Sequence, residues 1–137
     1  MTQLLELQPN FRLCKGVYVE PESLAWHDMR QINRSYLQIL ERLLRAGVYV
    51  GIATHDEPIV QEAQRLIAEL KLPPTAYEFQ MLLGVTEPLR ARIRAAGHPV
   101  RVYIPFGRDW YAYSIRRLRE NPRLAGYVLK ATFQRSC

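Results

Sequence analysis

Along the chain, short apolar runs rich in β-favouring residues alternate with longer stretches whose apolar positions recur every three or four residues. The first run is Phe11–Val19, ended by Pro21. A helical stripe of Met29, Ile32, Tyr36, Leu40 and Leu43 follows, within a helix predicted from about Leu24 to Ala46 and capped by Gly47. The second run, Val48–Ala53, is almost continuously apolar, as in a strand covered on both faces. Asp56 then reads as the N-cap of a second helix, with Pro58 in its first turn and Ile59, Ala63, Leu66 and Leu70 on its stripe. Leu72, Pro73 and Pro74 stop it. A third strand is predicted from about Ala76 to Leu82, and Thr86 with Pro88 opens a third helix that ends at Gly97. The fourth strand, Val100–Ile104, leads through Pro105, Phe106 and Gly107 into a helix over about Trp110–Asn121. A short outer helix is expected within Leu124–Phe133.

Strand followed by helix, four times over, predicts an α/β fold with a parallel sheet and right-handed crossovers. No linker or low-complexity tract divides the chain, so residues 1–137 read as one domain. Two architectures satisfy the pattern: a small open doubly wound sheet, or part of a (β/α)8 barrel of the TIM type. No Gly-x-Gly-x-x-Gly follows any strand, which disfavours a dinucleotide-binding open sheet. In a barrel, functional residues gather at the C-terminal ends of the strands. That is where Lys15, Gly16, Thr54, His55, Asp56, Gln80 and Tyr103 fall.

Composition adds exclusions more than assignments. Apolar residues at 48% and charged residues at 23% are ordinary globular values, so nothing points to a disordered or fibrous chain. The net charge of +6 could mark a nucleic-acid binder. However, the arginines are spread over every helix, with no long basic run and no zinc or RNP signature, so a solvated basic surface or a small-anion site fits better. The two cysteines, Cys14 and Cys137, form no disulfide framework or metal set. No stretch approaches the roughly 20 apolar residues of a membrane span, and Met1–Lys15 lacks the features of a secretory signal. A cytoplasmic protein with at most peripheral membrane contact is expected.

The last long helix carries the most specific pattern. Tyr113, Arg116, Arg117 and Glu120 share one face, while Tyr111, Ile115 and Leu118 make the opposite, packing stripe. Most arginine-bearing helix faces are simply solvated. A guanidinium pair beside an aromatic can also grip a carboxylate and wall off the apolar body next to it. Thr54, His55 and Asp56, before a helix N-terminus, could meet an electron-rich group there, or Asp56 could be only the cap and His55 a loop residue. Arg12 and Lys15 fall on opposite faces of a regular first strand, where an unpaired charge is costly unless it faces a polar ligand or the strand twists out. Cys14 is expected as a core thiol. His27, His55 and His98 lack metal-ligand spacing, so no metal site is expected.

Five runs are familiar as a set: Arg12–Tyr18 (RLCKGVY), Ala53–Asp56 (ATHD), Tyr77–Val85 (YEFQMLLGV), Arg101–Gly107 (RVYIPFG) and Trp110–Arg117 (WYAYSIRR). In order and spacing they resemble consecutive motifs of the FAD-dependent proline dehydrogenases, most closely the bacterial single-function enzymes, from Arg12 to Glu120. The resemblance implies a distorted (β/α)8 barrel with FAD at its C-terminal mouth. It implies oxidation of L-proline to Δ1-pyrroline-5-carboxylate, with electrons leaving to a membrane quinone. By the same resemblance, Arg12 would lie beside the flavin ring and help stabilise its reduced form. Leu13, Cys14 and Lys15 would line the cofactor, and Thr54 and His55 would contact it. Arg116 and Arg117 would bind the substrate carboxylate, Tyr103, Tyr113 and Leu82 would shape the proline pocket, and Glu120 would orient the arginines.

The resemblance places these runs on strands five to eight, a C-terminal half-barrel of four βα units. The family's substrate-binding lysine and the aspartate near its flavin lie in the first half, and nothing here matches them. A half-barrel has two unpaired sheet edges, which invite pairing with a separate N-terminal half or with a second copy. A non-catalytic half-barrel and a basic binding module stand as the alternative readings.

Overall fold

The structure is a computed structural model that describes residues 5–16, 20–104, 106–108 and 115. Seven elements alternate in it: β1 (Phe11–Cys14), α1 (Met29–Arg45), β2 (Val50–Ala53), α2 (Glu57–Glu69), β3 (Tyr77–Leu82), α3 (Glu87–Ala95) and β4 (Val100–Tyr103). All strand pairs are parallel and the order is β1-β2-β3-β4, without the reversal an open doubly wound sheet requires.

The strand period of two then sorts side chains into layers. Val50 and Ile52, with Tyr77, Phe79 and Met81, join one core cluster with Tyr36, Leu40 and Leu43 of α1, Ile59, Ala63 and Leu66 of α2, and Leu89 and Ile93 of α3. The alternate residues Arg12, Cys14, Gly51, Ala53, Glu78, Gln80, Arg101 and Tyr103 lie outside that cluster, on the other face of the sheet. The hydrophobic effect therefore fixes the helices on one side, at about 25 cal/mol per Å² of apolar surface buried. What remains is a second face rich in polar groups.

Several boundaries differ from those the pattern predicts. The first helix starts at Met29, not near Leu24, because Asp28 caps it by accepting the Arg30 N–H at 3.0 Å. The preceding residues are held elsewhere: Leu24 and Ala25 donate to the Pro21 carbonyl, and His27 Nε2 lies 2.7 Å from the Glu20 carbonyl. Leu24 is accordingly 77% exposed. Gly47 takes φ +71°, the left-handed turn that releases the chain from α1 into β2.

Cys14 is not a core thiol; it is exposed, because Phe11 and Leu13 take the helix-facing positions of β1 and leave Arg12 and Cys14 on the other side. β1 ends at Cys14, so Lys15 follows the strand and is not bound by its alternation. Of the helices expected beyond Arg108, all but Ile115 lies outside the described residues. No helix among the described residues is long and apolar enough to cross a membrane.

Candidate active site

Register brings the ends of the strands together. Cys14 pairs with Ala53, Ala53 with Gln80, Gln80 with Arg101, and Leu82 with Tyr103. Lys15, Thr54–Asp56, Leu82 and Tyr103 therefore share the C-terminal edge of the sheet, and the structure ties several of them to one another.

Lys15 Nζ donates to Asp56 Oδ2 at 2.5 Å, across the ends of β1 and β2, with both side chains largely shielded from solvent. Asp56 does occupy the N-cap position of α2, but its carboxylate makes no capping bond. The ammonium adds the attraction of a full opposite charge, which a helix amide lacks. The Asp56 N–H donates instead to Thr54 Oγ1 at 3.1 Å, which satisfies the hydroxyl of a residue that is only 7% exposed.

His55 reaches the next strand. The Leu82 N–H lies 3.2 Å from its Nε2, and Thr86 Oγ1 lies 3.1 Å from its Nδ1. Burial pushes its imidazole down to about 4, so the ring is neutral at neutral pH. The unfolded chain would titrate near 6.5 and bind a proton that the native state refuses. Stability is thus full above pH 6.5, falls as the pH drops toward 4, and levels off below that. Allowing for the ring's partial exposure, the loss is about 2 kcal/mol. Urea midpoints at pH 7.5 and pH 5 should fall less for His55→Phe than for the wild type, and an identical fall in both would refute the assignment. The comparison with the variant is needed because burial also lowers the His98 imidazole, which adds a slope of the same sign.

On the polar face, the Arg12 guanidinium carbon sits 4.4 Å from the Tyr103 ring centroid, a cation–π contact between the two edge strands. Deeper on that face lies a network that sequence reading missed. Glu78 Oε1 accepts from Arg101 Nε at 2.5 Å and from Gln80 Nε2 at 2.8 Å. Burial alone would raise the Glu78 carboxyl, but the hydrogen bonds from Arg101, Gln80 and Tyr49 more than offset it and hold the group below its usual range. An ionised carboxylate only accepts, so the Gln80 amide must turn its nitrogen to Glu78. Its Oε1 is left buried without a partner among the described residues. A Cβ at Gly51 would lie 2.4 Å from Gln80 Nε2, so the central strand is bare where this amide crosses it. The available signal was the Glu-x-Gln alternation inside an otherwise apolar strand, opposite a glycine.

Of the residues the sequence marks, Arg12, Tyr103, Lys15, Thr54, His55 and Leu82 are thus gathered at or near one sheet edge. Leu13 belongs to the other layer by its side chain, packed against the core, and its carbonyl accepts the Tyr36 hydroxyl at 3.0 Å. Burial, with a contribution from Cys14, pushes that tyrosine well above its ordinary range. Tyr113, Arg116, Arg117 and Glu120 lie outside the described residues.

Comparison with known proteins agrees with this fold. A proline dehydrogenase family model matches residues 6–128. The chain is similar to the proline dehydrogenase of Deinococcus radiodurans, with 42% identity over 91% of this chain and 40% of that protein. It is 35% identical to proline dehydrogenase 1 of Bacillus subtilis strain 168, over 97% of this chain and 44% of that protein. Among solved structures it matches proline utilization A from Bdellovibrio bacteriovorus inactivated by N-propargylglycine, with a TM-score of 0.76 and 27% identity over 88% of this chain and 15% of that one. The chain spans less than half the length of each of these relatives.

Proposed function

The chain belongs to the proline dehydrogenase family, and from that premise we propose that it forms strands five to eight of a (β/α)8 barrel in a FAD-dependent proline dehydrogenase. The completed protein oxidises L-proline to Δ1-pyrroline-5-carboxylate and passes the electrons to a quinone. The observation that carries the reading is the placement of Lys15, Thr54–Asp56, Leu82 and Tyr103 at one C-terminal sheet edge, beside a polar face that no helix of the core cluster covers. A barrel needs such a face inside and puts its chemistry at that end.

The donor set fits the cofactor. Arg12 brings a cation to a diphosphate-bearing ligand, and Lys15 keeps further ammonium N–H donors beside its pairing with Asp56. The start of α2 adds helix-terminal amides, and the bare Gln80 Oε1 is an acceptor suited to an imide N–H. FAD, when bound, supplies the hydride acceptor. The protein's own part is positioning. Arg116 and Arg117 clamp the proline carboxylate at one end, and Leu82, Tyr103 and Tyr113 close the apolar flank of its ring. Glu120 orients the arginines. Arg12, on the cofactor side, touches Tyr103, on the substrate side, so the two halves of the site are contiguous in this chain.

The test is completion. Co-expressed with the N-terminal half of a bacterial proline dehydrogenase, the chain should yield a yellow complex with bound FAD that reduces a dye only when L-proline is present. A colourless complex that reduces no dye overturns the proposal.

A further inference from the structure

Both ring nitrogens of His55 are engaged within the protein. A backbone amide can only donate, so the Leu82 N–H at 3.2 Å requires an unprotonated Nε2. The one proton of the neutral ring then sits on Nδ1 and is donated to Thr86 Oγ1 at 3.1 Å. Thr86 is itself unusual, with φ +47° and ψ 47°, a left-handed conformation that is strained for a β-branched residue. The turn around it is fastened at a second point, where the Gly84 N–H donates to Glu87 Oε1 at 2.8 Å and Glu87 pairs with Arg90. A strained turn persists only when its surroundings hold it. The His55 ring supplies one such support, joining the segment after β2 to the end of β3 and to the N-cap of α3.

We propose that His55 is a positioning residue for the substrate pocket: its ring latches the end of β3 to the strained Thr86 turn and thereby fixes Leu82. This rests on the reading above, in which Leu82 walls the proline ring. An imidazole that held the flavin by hydrogen bonding would need a free ring nitrogen, and His55 has none. Any hydrogen bond from Thr54–His55 to the cofactor therefore runs through backbone groups or the Thr54 hydroxyl. The latch also makes Thr86, which the sequence marks only as a helix start, a partner in substrate selection.

Two variants separate the roles in the completed, FAD-loaded complex. His55→Phe removes both hydrogen bonds but keeps a ring, and Thr86→Val removes only the hydroxyl. Both should raise KM for L-proline about tenfold, the effect of one lost hydrogen bond at a pocket wall. The Kd for FAD, from fluorescence quenching, should stay within about twofold, and Thr86→Ser should restore the wild-type KM. A tenfold loss of FAD affinity in His55→Phe that Thr86→Val does not share would put the ring on the flavin and overturn the latch, as would an unchanged KM in both variants. If the wild-type complex neither binds FAD nor oxidises proline, the functional reading fails on its own. The latch is then decided by NMR on the full chain. The wild type should show the proton on Nδ1 of His55, and both variants should lose hydrogen-exchange protection at the Leu82 amide. Unchanged protection would refute it.

Discussion

Phe79→Ala should cost the chain about 3–5 kcal/mol of folding stability, enough to leave a domain of this size marginal or unfolded at 37 °C. Phe79 is 0% exposed in the middle of β3 and is the largest fully buried side chain among the described residues. Its register partners are Ile52 on one side and Val100 on the other, so it lies at the centre of the helix-facing layer. The ring meets Tyr77 and His98 edge-on, with centroids 6.2 and 5.6 Å away, and the Tyr77 hydroxyl in turn lies 2.8 Å from His98 Nδ1. Truncation removes the transfer energy of the ring and leaves a cavity that two strands, locked by their ladders, cannot close. Urea unfolding followed by circular dichroism measures the loss. Phe106→Ala, at a side chain 96% exposed, supplies the control and should change stability by no more than about 0.5 kcal/mol. A Phe79→Ala cost below about 1 kcal/mol would mean that the layer assignment is wrong.

The same strand shows which parts of the fold were legible in the sequence. A strand was legible from about Ala76 to Leu82, and the structure forms it over Tyr77–Leu82 with Tyr77, Phe79 and Met81 in the core. The turn residues were equally informative: Gly47 closes α1, and Pro58 and Pro88 lie in the first turns of α2 and α3, because backbone constraints act locally. What sequence could not supply was the partner of each polar group. Asp56 has every local mark of a cap, yet its carboxylate goes to Lys15, 41 residues away, once β1 and β2 lie side by side. His55 bonds to a backbone N–H, which leaves no trace in residue identity at position 82. Cys14 is the instructive miss. The alternation Phe11, Arg12, Leu13, Cys14 already places it on the polar side, against the ordinary preference of cysteine for burial.

Arg117→Met in the completed, FAD-loaded protein should weaken L-proline binding by about a hundredfold while leaving FAD affinity within about twofold. The substrate is small, its carboxylate is the group complementary in charge to an arginine, and a bidentate guanidinium–carboxylate pair shielded from water is worth about 3 kcal/mol. Methionine keeps the length and apolar stem of arginine and removes only the fork, so the loss reports the charge-assisted bonds rather than packing. Arg117→Lys should fall between, near tenfold, because an ammonium keeps the charge without the planar pair of donors. KM equals the dissociation constant only when chemistry is slow relative to release, so the affinity is best taken from titration of the flavin spectrum with a non-oxidisable proline analogue. An unchanged affinity in Arg117→Met would remove the clamp from that helix. Lost FAD in the same variant would assign Arg117 to the cofactor instead, and leave Arg116 as the neighbouring guanidinium on that face to carry the carboxylate.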